Sequence, residues 1–240
     1  MDAVSTSFKD AICGKKYRRA TWICIGLVIF DQMTGITGLI IYVNSLLVQM
    51  NEQGSEDFPL TPIQGSWLVA ISTMVASSLP LLYNHKLGRK TLFVTGYLSM
   101  SVVVFLCGLS VYNEWNMAAF CLILCFIFCF QMFAGWLNNV YYVEVCVDTA
   151  TGVVACVQGI TATITALSFD YMINSKLQVQ GTFWFFSAFC FLGFLFHVFV
   201  VKETRGLSDL QKKTLYTPLN LLEPEKQASD IELQNEAQQP

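Results

Sequence analysis

Six apolar stretches of about twenty residues constrain this chain more than anything else in it; they lie at roughly 21–47, 66–84, 91–112, 117–142, 150–171 and 182–201. In hydrocarbon a spanning segment must satisfy every backbone N–H and C=O without water, so only helices and closed barrels cross. Stretches this long and without polar alternation predict helices. Of the 240 residues, 54% are hydrophobic and 13% are charged, against about 25% charged in soluble domains. The fold class expected is therefore an all-α membrane protein with six transmembrane helices. Residues 1–20 read as a cytoplasmic lead-in with the makings of a surface helix, 21–201 as the transmembrane domain and 202–240 as a polar cytoplasmic tail. The first apolar run is too long for a cleaved leader and is expected to stay as a span.

The loops set the orientation. Of the 14 Lys and Arg residues, all but Lys176 fall on one side of this six-span arrangement. That asymmetry predicts both termini on the cytoplasmic or equivalent inner side, in either a plasma or a mitochondrial inner membrane. The loop around Glu52, Glu56 and Asp57 carries no basic residue and suits the outer side. The net charge of −3, with the basic residues confined to helix ends, points away from nucleic acid and toward the lipid bilayer as the first partner. Past residue 206 the chain turns polar and acidic and predicts a loose tail, with a short amphipathic piece at 207–222 lying on the membrane.

The first span, RRATWICIGLVIFDQMTGITGLIIYVNSLL at 18–47, holds Asp31, Gln32, Thr34 and Thr37 near its middle, beside Gly35 and Gly38. An ionised Asp at a helix centre costs roughly 2.5–3.5 kcal/mol on insertion scales. Two close glycines give the helix a place to bend or unwind. A polar, bendable centre at mid-membrane is how transporter substrate sites are built. The same residues also suit a buried polar seam between helices.

No zinc or disulfide framework is expected from the nine cysteines, which mostly lie within apolar runs where a thiol acts as a small hydrophobe. Cys121, Cys125 and Cys129 form one helix stripe and read as packing residues. No nucleophile–base pair or metal-ligand cluster is visible, so neither an enzyme nor a cofactor is expected.

The charged turns are more telling. HKLGRK at 85–90 is a tight basic reversal, in which Arg89 and Lys90 can reach carboxylates or helix C-terminal carbonyls. Glu144 closes the fourth span and KETRG at 202–206 closes the sixth. Arg89, Glu144, Glu203 and Arg205 are placed to form an ion-pair network at the inner face, holding helix ends together in one state and releasing them in another.

Taken in order, these segments resemble the sugar porter family of the major facilitator superfamily, and within it the second half of such a transporter. FKDAICGKKYRRA looks like the end of the family's central cytoplasmic loop. DQMTGITGLIIY resembles the Q-Q-x-[ST]-G-I-N-x-x-x-Y-Y signature of its seventh helix. LGRK looks like the G-R-[RK] turn between helices eight and nine, and KETRG resembles P-E-T-[KR]-G after helix twelve. The resemblance implies the fold of a carboxyl-terminal six-helix half.

It also implies a site. In sugar porters the paired Gln residues of the seventh helix bind sugar hydroxyls; here Gln32 keeps the second position and Asp31 stands at the first. The earlier Gln falls on Val28, the Asn after Gly-Ile is Thr37, and Tyr42 remains of the paired tyrosines. The sugar-binding Asn of the eighth helix falls near Thr73, and His85 replaces the acidic residue before the basic turn. The tenth helix keeps Gly135 and Glu144. Its prolines are replaced around Trp136 and Asn138, and its aromatic falls near Asn139. The arginine after that glutamate is Thr151, and the first proline of the last motif is Lys202. The implied substrate set is thus Asp31, Gln32, Thr37, Tyr42, Thr73, Asn138 and Asn139. The implied gate is Arg89, Lys90, Glu144, Glu203 and Arg205.

Residues that end helices are kept better than residues that grip sugar. Each lost neutral hydrogen bond costs about 0.5–1.5 kcal/mol, and millimolar binding is worth only about 4 kcal/mol. Ordinary hexose binding is therefore not expected, and Asp31 would serve a different solute or a proton. Such transporters rock one six-helix half against the other. Six helices alone are expected to leave Asp31, Gln32 and Asn138 facing lipid, so a partner is expected: a second six-helix half, a homodimer copy or a larger membrane complex. Two functions stay open: transport of a small polar, sugar-like solute after pairing, and a transport-inactive structural subunit of a larger membrane complex, a respiratory one included. A regulatory form that dimerises with a full transporter is a third.

Overall fold

The computed structural model describes residues 8–52, 61–80, 87–218 and 221. Its regular structure is helical: α1 (Phe8–Cys13), α2 (Arg18–Gln32), α3 (Ile36–Glu52), α4 (Pro62–Ser78), α5 (Arg89–Tyr112), α6 (Asn116–Phe130), a π-helical turn (Gln131–Gly135), α7 (Leu137–Val145), α8 (Asp148–Ile173), α9 (Gln178–Phe199) and α10 (Asp209–Lys213). Five stretches among the described residues are long and apolar enough to cross a bilayer: Arg18–Ser45, Arg89–Tyr112, Asn116–Val145, Asp148–Ile173 and Gln178–Phe199. The remaining expected span, at 66–84, overlaps the 17-residue α4, and its last residues, with His85, lie outside the described ones.

Local sequence sets several of these boundaries. Thr61 and Gln64 form a reciprocal capping box at the start of α4, with Pro62 at the first helical position where its missing N–H costs nothing. The first span breaks where its glycine pattern predicts. Met33, Thr34 and Gly35 donate back to Ile29, Asp31 and Gln32, and Gly35 adopts φ +83°, which a residue with a Cβ adopts only with strain. The Asn116–Val145 span is continuous in sequence but not in helix type. The π-turn adds a residue to the helical repeat and so re-aims every side chain after it.

Small residues let the helices close up. Ser101 and Ser187 each donate to the other's backbone carbonyl between α5 and α9, at 3.2 and 2.9 Å. In the same pair, a Cβ at Gly108 would meet Trp184 at 2.5 Å and one at Gly193 would meet Tyr97 at 2.7 Å. Gly38 of α3 sits equally tight on Phe169 of α8. The core runs through Leu27, Phe93, Tyr97, Ile123, Ile127 and Tyr141. Apolar side chains stay exposed on several helices, among them Trp67, Ile71 and Met74 of α4 and Ile160, Ile164, Leu167 and Tyr171 of α8.

The expectation for the piece at 207–222 needs correction, while the rest of the tail lies outside the described residues. Residues 206–218 fold back against the helix ends around Glu144 and Lys202, with Tyr216 buried. The reason is local: Ser208 and Gln211 form a capping box that starts α10, and Tyr216 finds polar partners in a buried slot. The lead-in also packs, since α1 buries Ala11 and its carbonyl accepts from Thr21 Oγ1 at 2.8 Å.

Candidate functional site

Asp31 lies halfway along the 28-residue first span, in the last turn before the helix breaks. It is 2% exposed, Gln32 6% and Asn138 0%. Gln32 Nε2 donates to Asp31 Oδ2 at 2.9 Å, and Asn138 Nδ2, from α7, donates to Oδ1. Thr37 Oγ1, across the break on α3, donates to Gln32 Oε1 at 2.7 Å. Thr34 Oγ1 donates to the Asp31 carbonyl at 2.7 Å, holding the broken turn. Two more side chains complete the cluster: Gln158 of α8 faces the carboxyl, and Tyr97 of α5 lies beside Asn138. The Tyr97 hydroxyl and Asn138 Oδ1 are both buried without a hydrogen-bond partner.

This burial overturns one expectation. Asp31, Gln32 and Asn138 do not face lipid; α2, α5, α7 and α8 of this same chain enclose them. The helix break turns Asp31 inward, and the π-turn brings Asn138 round to meet it.

The structure thus brings Asp31, Gln32, Thr37 and Asn138 together. It does not bring in the others. Tyr42 stacks on Phe169 of α8 with ring centroids 6.1 Å apart. Thr73 donates to Val69 of its own helix. Asn139 is exposed, bonding Gly135 and Tyr142. Gln158 carried a signal in the sequence, as an amide in the middle of an apolar run; Tyr97 carried none.

A second cluster joins the charged helix ends. Glu203 caps α5, taking the backbone N–H of Arg89 at 2.8 Å on Oε1 and that of Lys90 at 3.0 Å on Oε2. An anion there also meets the positive end of the helix dipole. Oε1 accepts further from the N–H groups of Thr204 and Arg205, at 3.1 and 2.9 Å. Gly88 has ordinary extended angles; what it supplies is room, because a Cβ would lie 2.3 Å from Glu203 Oε2. Arg89 pairs with Glu144 at 3.4 Å and lies over the Trp136 ring, while Lys90 Nζ donates to the Val198 carbonyl at the end of α9. Thr204 Oγ1 and Lys212 Nζ reach the same Glu144, at 2.9 and 3.4 Å. Lys212, which sequence reasoning left in the tail, is therefore part of this network.

Beside it, the Tyr141 hydroxyl donates to the Lys202 carbonyl at 2.8 Å and meets the Tyr216 hydroxyl at 2.7 Å; the Lys202 N–H donates to Tyr216 at 2.8 Å. Burial pushes the Tyr216 phenol up from its ordinary value.

The family described as sugar (and other) transporter matches residues 2–213. The facilitated trehalose transporter Tret1 of Bombyx mori is 25% identical over 215 residues, covering 84% of this chain and 41% of that protein. Sugar transporter ERD6-like 11 of Arabidopsis thaliana is 25% identical over 216 residues, covering 85% and 44%. The structure of the major facilitator proton:xylose symporter XylE, bound to 6-bromo-6-deoxy-D-glucose, superposes with a TM-score of 0.70 at 22% identity, covering 82% of this chain and 42% of that one. The chain thus spans less than half the length of the relatives it matches, and shares its fold with part of a major facilitator protein. A multi-pass integral membrane protein, it belongs to the sugar (and other) transporter family.

Proposed function

We propose that the chain is the carboxyl-terminal six-helix half of a sugar-porter-like transporter, with α4 contributing the sixth span, and that it moves a small polar solute after pairing with a second half. The observation that carries this reading is the broken first span, which turns Asp31 and Gln32 onto Asn138 of another helix halfway through the membrane segment. Thr37 joins them across the break. Tyr42, Thr73 and Asn139 line the path when the halves open. Arg89, Lys90, Glu144, Glu203 and Arg205 form the inner gate, on the cytoplasmic or equivalent side with both termini. The need for a second half is supported by the 41–44% coverage of the relatives and by the uncovered faces of α4 and α8. It draws nothing from Asp31, which this chain covers itself. The test is uptake of labelled solutes by the reconstituted protein with its co-purifying chains. Asp31→Ala and Gln32→Ala should each abolish saturable uptake, and unchanged uptake rejects the site.

A second reading has its own support. The Asp31 cluster is closed, and a sealed polar seam in a chain with exposed apolar faces also suits a transport-inactive structural subunit of a larger membrane complex. Gentle extraction, native sizing and identification of bound chains separate the two. A stable multi-subunit complex without solute uptake favours the subunit, and a free monomer counts against both.

A further inference from the structure

The atoms left over at the Asp31 cluster define what it can hold. Two amide donors are spent on the carboxyl, Gln32 Nε2 on Oδ2 and Asn138 Nδ2 on Oδ1, and the Gln158 amide also faces it. The Thr37 and Thr34 hydroxyls are spent as well, on Gln32 Oε1 and the Asp31 carbonyl. What stays without a partner is Asn138 Oδ1, an acceptor, and the Tyr97 hydroxyl, which can accept or donate. An ammonium group offers three donors and no acceptor, and brings the opposite charge.

Charge makes the same point. Among the described residues no Lys, Arg or His forms a salt bridge with Asp31; the ion pairs found there join Arg89, Lys212 and Lys213 to Glu144, Asp148 and Asp209 at the inner face. The groups around the carboxyl are Gln32 on its own helix, Gln158 from α8, Asn138 and Tyr142 from α7, and Tyr97 from α5. Cys190 and His197 of α9 lie beyond Tyr97, the imidazole stacked on its ring at 4.2 Å. A carboxylate buried among neutral groups needs a positive charge from elsewhere. A groove of about 470 Å³ borders Met33, two residues along the chain from Asp31. It is lined by Tyr171, Phe185 and Phe186, with Ser168 and the partnerless Thr165 hydroxyl, and aromatic faces of this kind attract cations.

We propose that the Asp31 cluster takes an amine-bearing solute as its ammonium ion, in exchange for a proton. Empty and closed, Asp31 carries the proton on its carboxyl; when the broken helix opens, the ammonium enters and the O–H proton leaves to water. One positive charge replaces another, and the carboxylate stays compensated. This rests on the transporter reading above, and narrows its solute.

The test is calorimetric titration of the full chain, with any co-purifying partner, in nanodiscs. The probes are glucosamine, ethanolamine, glucose and N-acetylglucosamine, in two buffers of different ionisation enthalpy that report proton release. At least one amine should bind tenfold or more tighter than either neutral sugar, releasing close to one proton. Asp31→Asn, of the same shape, should remove both the preference and the release while unfolding at an unchanged temperature. Tyr97→Phe should weaken amine binding severalfold and leave the proton count alone. Equal binding of glucose and glucosamine, lost in Asp31→Ala, overturns the amine proposal and keeps the site. Failure of both amines to bind, or amine binding indifferent to Asp31→Asn, overturns it as well.

Discussion

Replacing Gly88 with alanine places a methyl carbon 2.3 Å from Glu203 Oε2, well inside contact distance. The backbone of Gly88 tolerates alanine, with φ −72° and ψ 146°, so any cost arises from displacing the carboxylate. That displacement removes the bonds from the Arg89 and Lys90 N–H groups at 2.8 and 3.0 Å. Each bond to a charged acceptor is worth about 1.5–3 kcal/mol, toward the lower end here because water reaches this half-buried site. Loss of the anion at the helix N-terminus adds about 0.3–1 kcal/mol. Gly88→Ala should therefore destabilise the protein by about 3–5 kcal/mol, read from unfolding titrations in mixed micelles. Glu203→Ala should cost a similar amount by the same route. The sharper test is the double variant. If alanine at 88 acts only by pushing Glu203 aside, Gly88→Ala adds little once Glu203 is gone, and the coupling energy approaches the full cost of one single variant. Strictly additive losses, or a neutral Gly88→Ala, would refute the steric argument.

Three other perturbations test separate parts of the fold. Tyr216→Phe removes a hydroxyl that joins Tyr141 and Lys202, and should cost about 1–2 kcal/mol and expose Lys212 and Lys213 to trypsin. Because burial raises the Tyr216 phenol above its unfolded value, its contribution is complete below about pH 10 and declines as pH rises through the raised native value; stability profiles from pH 9 to 12 should flatten in Tyr216→Phe. Gly35→Ala combines a left-handed backbone with a Cβ 2.7 Å from the Phe186 ring, and should lose about 2–4 kcal/mol by the same unfolding titration. Gly152 and Gly159 of α8 have nothing within 4 Å. Leucine at either should leave the isolated chain's unfolding within about 0.5 kcal/mol of wild type but reduce recovery of co-purifying chains.

The charged turns show how far residue order reaches. Gly88, Arg89, Glu144 and Glu203 could be grouped from their places at helix ends, because short loops bring consecutive helix ends to the same side. Their bonding was another matter. Glu203 works mainly through backbone N–H groups, which no side-chain pattern announces, and Lys212 reaches Glu144 only because α10 folds back.

Length and apolarity alone determine that this protein is a set of membrane helices, since a buried backbone has few other ways to satisfy its hydrogen bonds. The position of Gly35 beside Asp31 and Gln32 likewise determines where the first span breaks, because a left-handed residue is a local property. Only the tertiary structure decided that Asp31 is enclosed by its own chain. Enclosure depends on which faces of α2, α5, α7 and α8 meet, and the π-turn from Gln131 to Gly135 rotates Asn138 into contact. The same holds for Tyr97 and Tyr216: each looks ordinary along the chain, and acquires a role only through what the crossing helices bring beside it.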